Sequence, residues 1–402
     1  VDVSLGSPHG KPPPEGHVPV GTMGRAACPV PDGPPGDPGA AAAIAGLIAA
    51  ARRPVLVLGS DVWMGGAEQA ARTAAEELRL PVIANGQGRG ILPRGHELLV
   101  TRARSIAFRQ ADLVVVVGTP LDFRLGYGAF GDTGDPQRKP SVVHVADAPG
   151  QLAAHRELAA SYSGDLSGFF TALAAPGAWP GRPARVPWED TWLPQLQDAA
   201  RGAVAGDGAL LASEADPIHP MRIYGELAGV LDDDAVVIGD GGDFVSYAGK
   251  YIEPGRPGGW LDPGPYGCLG TGLGYAIAAR IARPPAQVVL LLGDGAAGFS
   301  LMDADTLVRH GLPVVVVCGN NGIWGLEKHP MQAIYGYDVV ADLQPQCRYD
   351  EVVSALGGAG ELVTRPHGIA PALRRAFDSG VPYLVNVITD PAVAYPRSTT
   401  GV

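Results

Sequence analysis

Gly293–Asn321 reads GDGAAGFSLMDADTLVRHGLPVVVVCGNN. An apolar run precedes each end, QVVLLL before the first turn and LPVVVVC before the second. The segment between them, SLMDADTLVRH, has helical spacing. Asp294 and Asn321 therefore stand just past the carboxyl ends of two strands. In an open α/β sheet that is where ligands bind. Two oxygen donors set among glycines suit a hard cation that holds a phosphate.

The same alternation extends in both directions. GAAAAIAGLIAAA, GGAEQAARTAAEELR and LGYAIAARIAR read as helices. RPVLVLG, LPVIANG, ADLVVVVG, SVVHVADA, DAVVIGDGG and PYLVNVIT read as short buried strands. Strands and helices in alternation predict parallel βαβ units. The fold class is α/β, with two doubly wound parallel-sheet domains. Residues 1–38 read as the end of a preceding domain and a linker, because PVPDGPPGDPG suits neither helix nor strand. A first domain is expected over 39–178, a linker with the helix WEDTWLPQLQDAARGAVA over 179–215, and a second domain over 216–402.

Composition excludes several classes. The chain has 402 residues, 46% hydrophobic and 18% charged, as a globular protein with a real core requires. Net charge is −11, with no basic stripe, so nucleic acid is not an expected partner. No apolar run reaches membrane-spanning length, so no membrane partner is expected. Cys28, Cys268, Cys318 and Cys347 lack metal spacing and read as reduced, mostly buried thiols of a cytoplasmic protein.

The second domain has three glycine corners: GDGGDF (Gly239–Phe244), GPYGCLGTGLG (Gly264–Gly274) and GDGAAGFS (Gly293–Ser300). Backbone N–H groups in such corners approach phosphate closely. Each corner alone is a routine turn. The three in this order, closed by NN, resemble the pyrophosphate-binding domain of thiamine diphosphate enzymes. GRGILP and ADLVVVVGTPLDFRLGYG resemble the central domain of the acetolactate synthase and oxalyl-CoA decarboxylase branch. GNNGIWGLEKHPM and DPAVAYPR are most like actinobacterial acetolactate synthase-like sequences.

The resemblance implies thiamine diphosphate and Mg²⁺ as cofactors and a 2-oxo acid as substrate. It implies Asp294, Asn321 and the carbonyl of Ile323 as metal ligands. Gly241, Gly242, Asp243 and Phe244 match one diphosphate loop. Gly293, Gly295 and Ala296 match the loop around the metal aspartate, and Leu269 matches the apolar residue that wedges the cofactor into its bent shape. The synthase reaction implied is decarboxylation of pyruvate and carboligation to a second 2-oxo acid, in branched-chain amino acid biosynthesis.

Two departures limit that reading. The glutamate that protonates the family's aminopyrimidine lies in an N-terminal pyrimidine-binding domain. VDVSL reads as the last strand of that domain, and no glutamate in this sequence takes the role. The catalytic residue is thus unassigned, and the chain alone is expected to be inactive. A homodimer or homotetramer, or a partner chain carrying the pyrimidine domain, is expected to complete the site. On the substrate side, GGDFV stands where synthases carry GQHQM, and Trp324 and Leu326 replace their Gln and Met. NNGIW is similar to the acyl-CoA lyases and oxalyl-CoA decarboxylase. A CoA-dependent lyase and a non-catalytic cofactor-binding subunit therefore stay open as alternatives.

Trp324, Glu327 and His329 adjoin the metal loop and are candidates for the substrate side, against a structural role at a helix start. Asp303 and Asp305 read as a solvated helix face. The branch also implies FAD in the central domain, with Arg124 at its FDDR-like turn. The family's acidic strand end is HVADAP here, with Asp147 between Ala146 and Ala148, which turns a ribose-binding carboxylate to the other face. An ADP or CoA nucleotide is the alternative occupant.

Overall fold

The computed structural model describes residues 36–131 and 139–396. VDVSL and most of the first linker lie outside the described residues.

Five parallel strands form the first sheet: β1 (Pro54–Leu58), β2 (Val82–Ala84), β3 (Leu113–Val117), β4 (Ser141–Ala146) and β5 (Ala160–Ser163), in the order β2-β1-β3-β4-β5. Six parallel strands form the second: β6 (Val236–Asp240), β7 (Trp260–Leu261), β8 (Val288–Gly293), β9 (Val315–Asn320), β10 (Ala359–Val363) and β11 (Tyr383–Ile388), in the order β10-β11-β9-β8-β6-β7. The helices of the first half are α1 (Pro38–Ala50), α2 (Ser60–Met64), α3 (Glu68–Leu78), α4 (Arg104–Gln110), α5 (Leu166–Ala174) and α6 (Trp192–Leu211). Those of the second are α7 (Met221–Leu227), α8 (Asp243–Tyr251), α9 (Gly272–Ala282), α10 (Asp294–Ser300), α11 (Ala304–Arg309), α12 (Gly325–Tyr335), α13 (Tyr349–Ala355) and α14 (Ile369–Asp378).

Helices cover both faces of each sheet, which is why the central strands are apolar without alternation. Val289 and Leu291 of β8 belong to the core on one face, Leu290 and Leu292 to that on the other. In each sheet the chain leaves the first strand in one direction and then crosses to its other side. The crossover lies between β1 and β3, and between β6 and β8. Such switch points open a crevice at the carboxyl edge.

The structure differs from the sequence expectations in four places. SLMDADTLVRH is not one helix: α10 starts at Asp294 itself, Ser300 leaves the helical region (φ −141°), and a short 3-10 turn (Leu301–Asp303) precedes α11. The edge strands β5, β7 and β10 were not expected, because β7 has two residues and β5 and β10 each bury one. The stretch expected as a linker with a helix packs into the first domain at the start of α6. Trp188, Trp192, Leu193 and Leu196 are buried in the first core, and the Trp192 indole donates to the Pro54 carbonyl at 3.0 Å. Of the three described thiols only Cys318 is buried, whereas Cys268 is exposed in its glycine loop.

Leu291 is completely buried between β6 and β9. Leu291→Ala is expected to cost roughly 2–5 kcal/mol, read as a drop in unfolding free energy by chemical denaturation. A loss under about 1 kcal/mol would contradict the two-faced core.

Candidate functional site

The three glycine corners and the NN turn meet at the carboxyl ends of β6, β8 and β9. β6 ends at Asp240, and Gly241 then turns with φ +112°, a conformation that favours glycine. A Cβ on Gly241 would lie 3.2 Å from Ala296 Cβ, so the first and third corners touch. The Asp240 carboxylate accepts from Gly272 N at 2.8 Å and Gly270 N at 3.1 Å. It thereby ties the second corner, with Leu269, to the first.

Asp294 ties the third corner to the NN turn. Its Oδ1 accepts from Gly295 N at 2.9 Å and its Oδ2 from Gly322 N at 2.6 Å. The residue is only 4% exposed. Burial pushes its carboxyl up to about 6, against the N–H bonds that pull it down. Asn321 closes the turn on itself, its Oδ1 accepting from Ile323 N at 3.1 Å. The other asparagine is structural: Asn320 Nδ2 donates to the Cys347 carbonyl and to Asn386 Oδ1 inside the core.

The donor set fits a hard cation. A buried carboxylate and an amide oxygen stand together, and the carboxylate lacks the charge that would hold it ionised. Among the described residues no cluster of three or more His, Cys, Asp or Glu could hold a metal ion.

The description "Thiamine pyrophosphate enzyme, C-terminal TPP binding domain" matches residues 240–387, and "Thiamine pyrophosphate enzyme, central domain" matches 41–173. The chain belongs to the thiamine pyrophosphate enzyme family. It is 52% identical over 355 residues to a probable acetolactate synthase of Mycobacterium bovis and equally to an acetolactate synthase large subunit of Mycobacterium tuberculosis. That match takes in 88% of this chain and 62% of each relative. A 2-hydroxyacyl-CoA lyase 2 of Mus musculus is 32% identical over 79% of this chain and 50% of its own length. The chain thus spans between half and two thirds of the relatives it matches.

Most of the residues that the resemblance implies lie at this edge of the sheet, and the packing explains two of them differently. Phe244 points into the core: a Cβ on Gly319 of β9 would lie 2.5 Å from its ring, and its carbonyl accepts the Tyr224 hydroxyl. Gly242 and Gly295 are bare because neighbours fill their space. A Cβ on Gly242 would meet Leu326 at 3.0 Å, and one on Gly295 would meet the Trp324 ring at 2.5 Å. Leu269 is partly buried against the second domain's core.

Trp324 and His329 both reach the corner. Trp324 meets Phe299 edge-on with ring centroids 6.2 Å apart. His329 Nε2 donates to the Pro391 carbonyl at 2.9 Å, and its Nδ1 lies 3.7 Å from Asp243 Oδ2. Glu327 is exposed, as is Asp303, while Asp305 pairs with Arg309 at 2.6 Å. The sequence reading missed Asp240. Asp240 had a signal, since a buried strand that ends in Asp must find N–H donors for it.

At the first sheet's crevice Arg124 is held by Asp122 at 2.8 Å. Asp147 approaches Asp61, and its Oδ1 is buried without a partner among the described residues. Burial, and then the charge of Asp147, raise the Asp61 carboxyl to about 6. Its folded value lies above the unfolded 3.8, so the native state binds this proton more tightly. The stabilisation is present at about pH 4 and is lost as pH rises through about 6. Asp61→Asn is expected to flatten that part of the curve in thermal melts between pH 4 and 6. A variant with the wild-type slope would mean that Asp61 is solvated.

Proposed function

We propose that this chain supplies the diphosphate-binding half of a thiamine diphosphate- and Mg²⁺-dependent enzyme of the acetolactate synthase kind. Its substrates are 2-oxo acids, with pyruvate decarboxylated and the fragment joined to a second 2-oxo acid. The juxtaposition of buried Asp294 with Asn321 is the observation that carries this reading.

In this proposal Asp294, Asn321 and the Ile323 carbonyl hold the cation. The main chain of Gly241–Phe244 and Gly293–Ala296 receives the diphosphate, and Leu269 bears on the rings. The cofactor, when bound, supplies stabilisation of a carbanion at the reacting carbon. The chain's own groups do the remaining work. Asp240 fixes the loop that carries Leu269. Trp324, Leu326 and Phe299 present apolar surface that keeps water from the corner. His329, with its Nε2 proton on the Pro391 carbonyl, turns Nδ1 toward Asp243 and orders that side of the pocket.

The aminopyrimidine-activating glutamate is assigned to no residue of this chain. We place it on the pyrimidine-binding half of the assembly, in a homodimer or homotetramer or on a partner chain. FAD, or the nucleotide of CoA, is proposed for the crevice between β1 and β3. A cytoplasmic site of action suits the free thiols of Cys268, Cys318 and Cys347.

Calorimetric titration with thiamine diphosphate, with and without Mg²⁺, tests the half-site. Binding that needs Mg²⁺ and falls by about tenfold or more in Asp294→Ala is expected. Equal binding by the variant sinks the metal assignment, and cofactor binding without turnover by the completed assembly would indicate a non-catalytic subunit. Trp324, in place of the synthase glutamine, favours a second reading as a 2-hydroxyacyl-CoA lyase. Turnover of pyruvate by the assembly without CoA is expected; turnover of 2-hydroxyacyl-CoA alone would replace the synthase reading.

A further inference from the structure

Three guanidinium groups gather where the first sheet's carboxyl edge faces the second domain. Arg89 follows the turn after β2, Arg104 opens α4, and Arg124 lies in the turn after β3. Arg124 is neutralised by Asp122. Among the described residues, neither Arg89 nor Arg104 is in an ion pair. Arg89 lies 5.2 Å from the Trp260 ring centroid, and its Nε is buried without a hydrogen-bond partner among the described residues. Arg104 lies 5.1 Å from the Phe108 ring centroid and donates to the main-chain carbonyl of Arg124. These contacts leave most of the N–H donors of both forks unspent.

The surroundings do not offset that charge. Asp262 and Glu253 act on Arg89 from beyond ion-pair distance. Asp262 already accepts from Trp260 Nε1 and Gly264 N, and burial favours the neutral form of Glu253. Burial, then the charges of Arg89 and Arg124, lower Arg104 to about 10. Tyr395 closes the cleft from the C-terminal segment. It meets Tyr247 edge-on at 4.9 Å, in the field of Arg89, Arg102 and Arg104.

The arginine cluster also lies against the helix that starts in the diphosphate corner. A Cβ on Gly249 of α8 would lie 3.3 Å from an Arg89 Nη, and α8 begins at Asp243 in that corner. Six residues of helix separate the two, about 9 Å at 1.5 Å per residue. One bound molecule of moderate length spans that distance.

We propose that Arg89 and Arg104 form an anion-binding site that takes a carboxylate or phosphate group of the molecule processed at the diphosphate corner. The assignment of the anion to that molecule rests on the reading under Proposed function. The site itself rests on the two cations. Guanidinium forks bind oxyanions bidentately, and the faces of Trp260 and Phe108 hold both planes in place beforehand. The anion brings the negative charge that the cluster lacks.

The test is calorimetric titration of the purified chain with inorganic phosphate, pyruvate and CoA in turn. Wild type is compared with Arg89→Gln, Arg104→Gln and the control Arg109→Gln, whose side chain is exposed on the same helix. Saturable, salt-sensitive binding is expected in wild type and control, and about tenfold weaker or worse in the two cluster variants. Binding of phosphate and CoA without pyruvate assigns the anion to a nucleotide; binding of pyruvate without CoA assigns it to a substrate carboxylate. Equal affinities in wild type and Arg104→Gln, or no binding of any probe to wild type, overturn the site. Should Arg104→Gln fail to fold, Arg104→Lys keeps the charge without the fork. Phosphate bound more weakly by that variant supports the site, and unchanged affinity overturns it. Thiamine diphosphate is titrated in the same samples. Phosphate binding that persists where Mg²⁺-dependent cofactor binding is absent would sink the reading of the corner and leave the anion site standing.

Discussion

The site depends on how buried carboxylates are satisfied at the ends of parallel strands. A carboxylate taken out of water has to find N–H donors or a cation. Asp294 finds Gly295 N within its own turn and Gly322 N across β9. The second bond fixes the NN turn relative to the GDG turn, 28 positions earlier in the chain. Asp240 does the same between the first two corners through Gly270 and Gly272. Two carboxylates therefore hold three glycine loops and the NN turn in one place, and the sheet beneath needs only to present the strand ends in order.

That order follows from topology. With the switch point between β6 and β8, the loops after these two strands diverge and leave a crevice. β9 lies on the other side of β8, so its turn reaches the same crevice. The first sheet repeats the device between β1 and β3. There the carboxylates meet differently: Asp61 is in the field of Asp147, a like charge, where Asp294 accepts from backbone N–H groups. The two edges therefore differ in their electrostatics, although the same architecture builds both.

Much of the fold was legible because burial on both faces writes itself into composition. VVLLL and VVVVC leave little alternative to a central parallel strand. The edge strands β5, β7 and β10 were illegible for the converse reason, since a strand covered on one side leaves no apolar run. In the site, Asp294, Asn321 and the glycine corners were legible as pattern and spacing. The packing was not. No local signal says that the Phe244 ring turns inward onto Gly319, or that Trp324 and Leu326 occupy the space over Gly295 and Gly242. Those facts depend on residues distant in sequence.

Two glycines of the corner loops, Gly242 and Gly295, are required by the start of α12 and its N-cap residue Trp324. Trp324 and Leu326 lie across the two loops and reach them side by side, at 2.5 Å and 3.0 Å from the positions a Cβ would take. A change at either residue alters the packing over both glycine loops together. Trp324 presents an apolar face here and is anchored through its main chain, its N–H donating to the Ala341 carbonyl at 2.9 Å. Two layers are separable in this fold: the strand-end carboxylates fix the loops, and the side chains of Trp324 and Leu326 fill the space upon them.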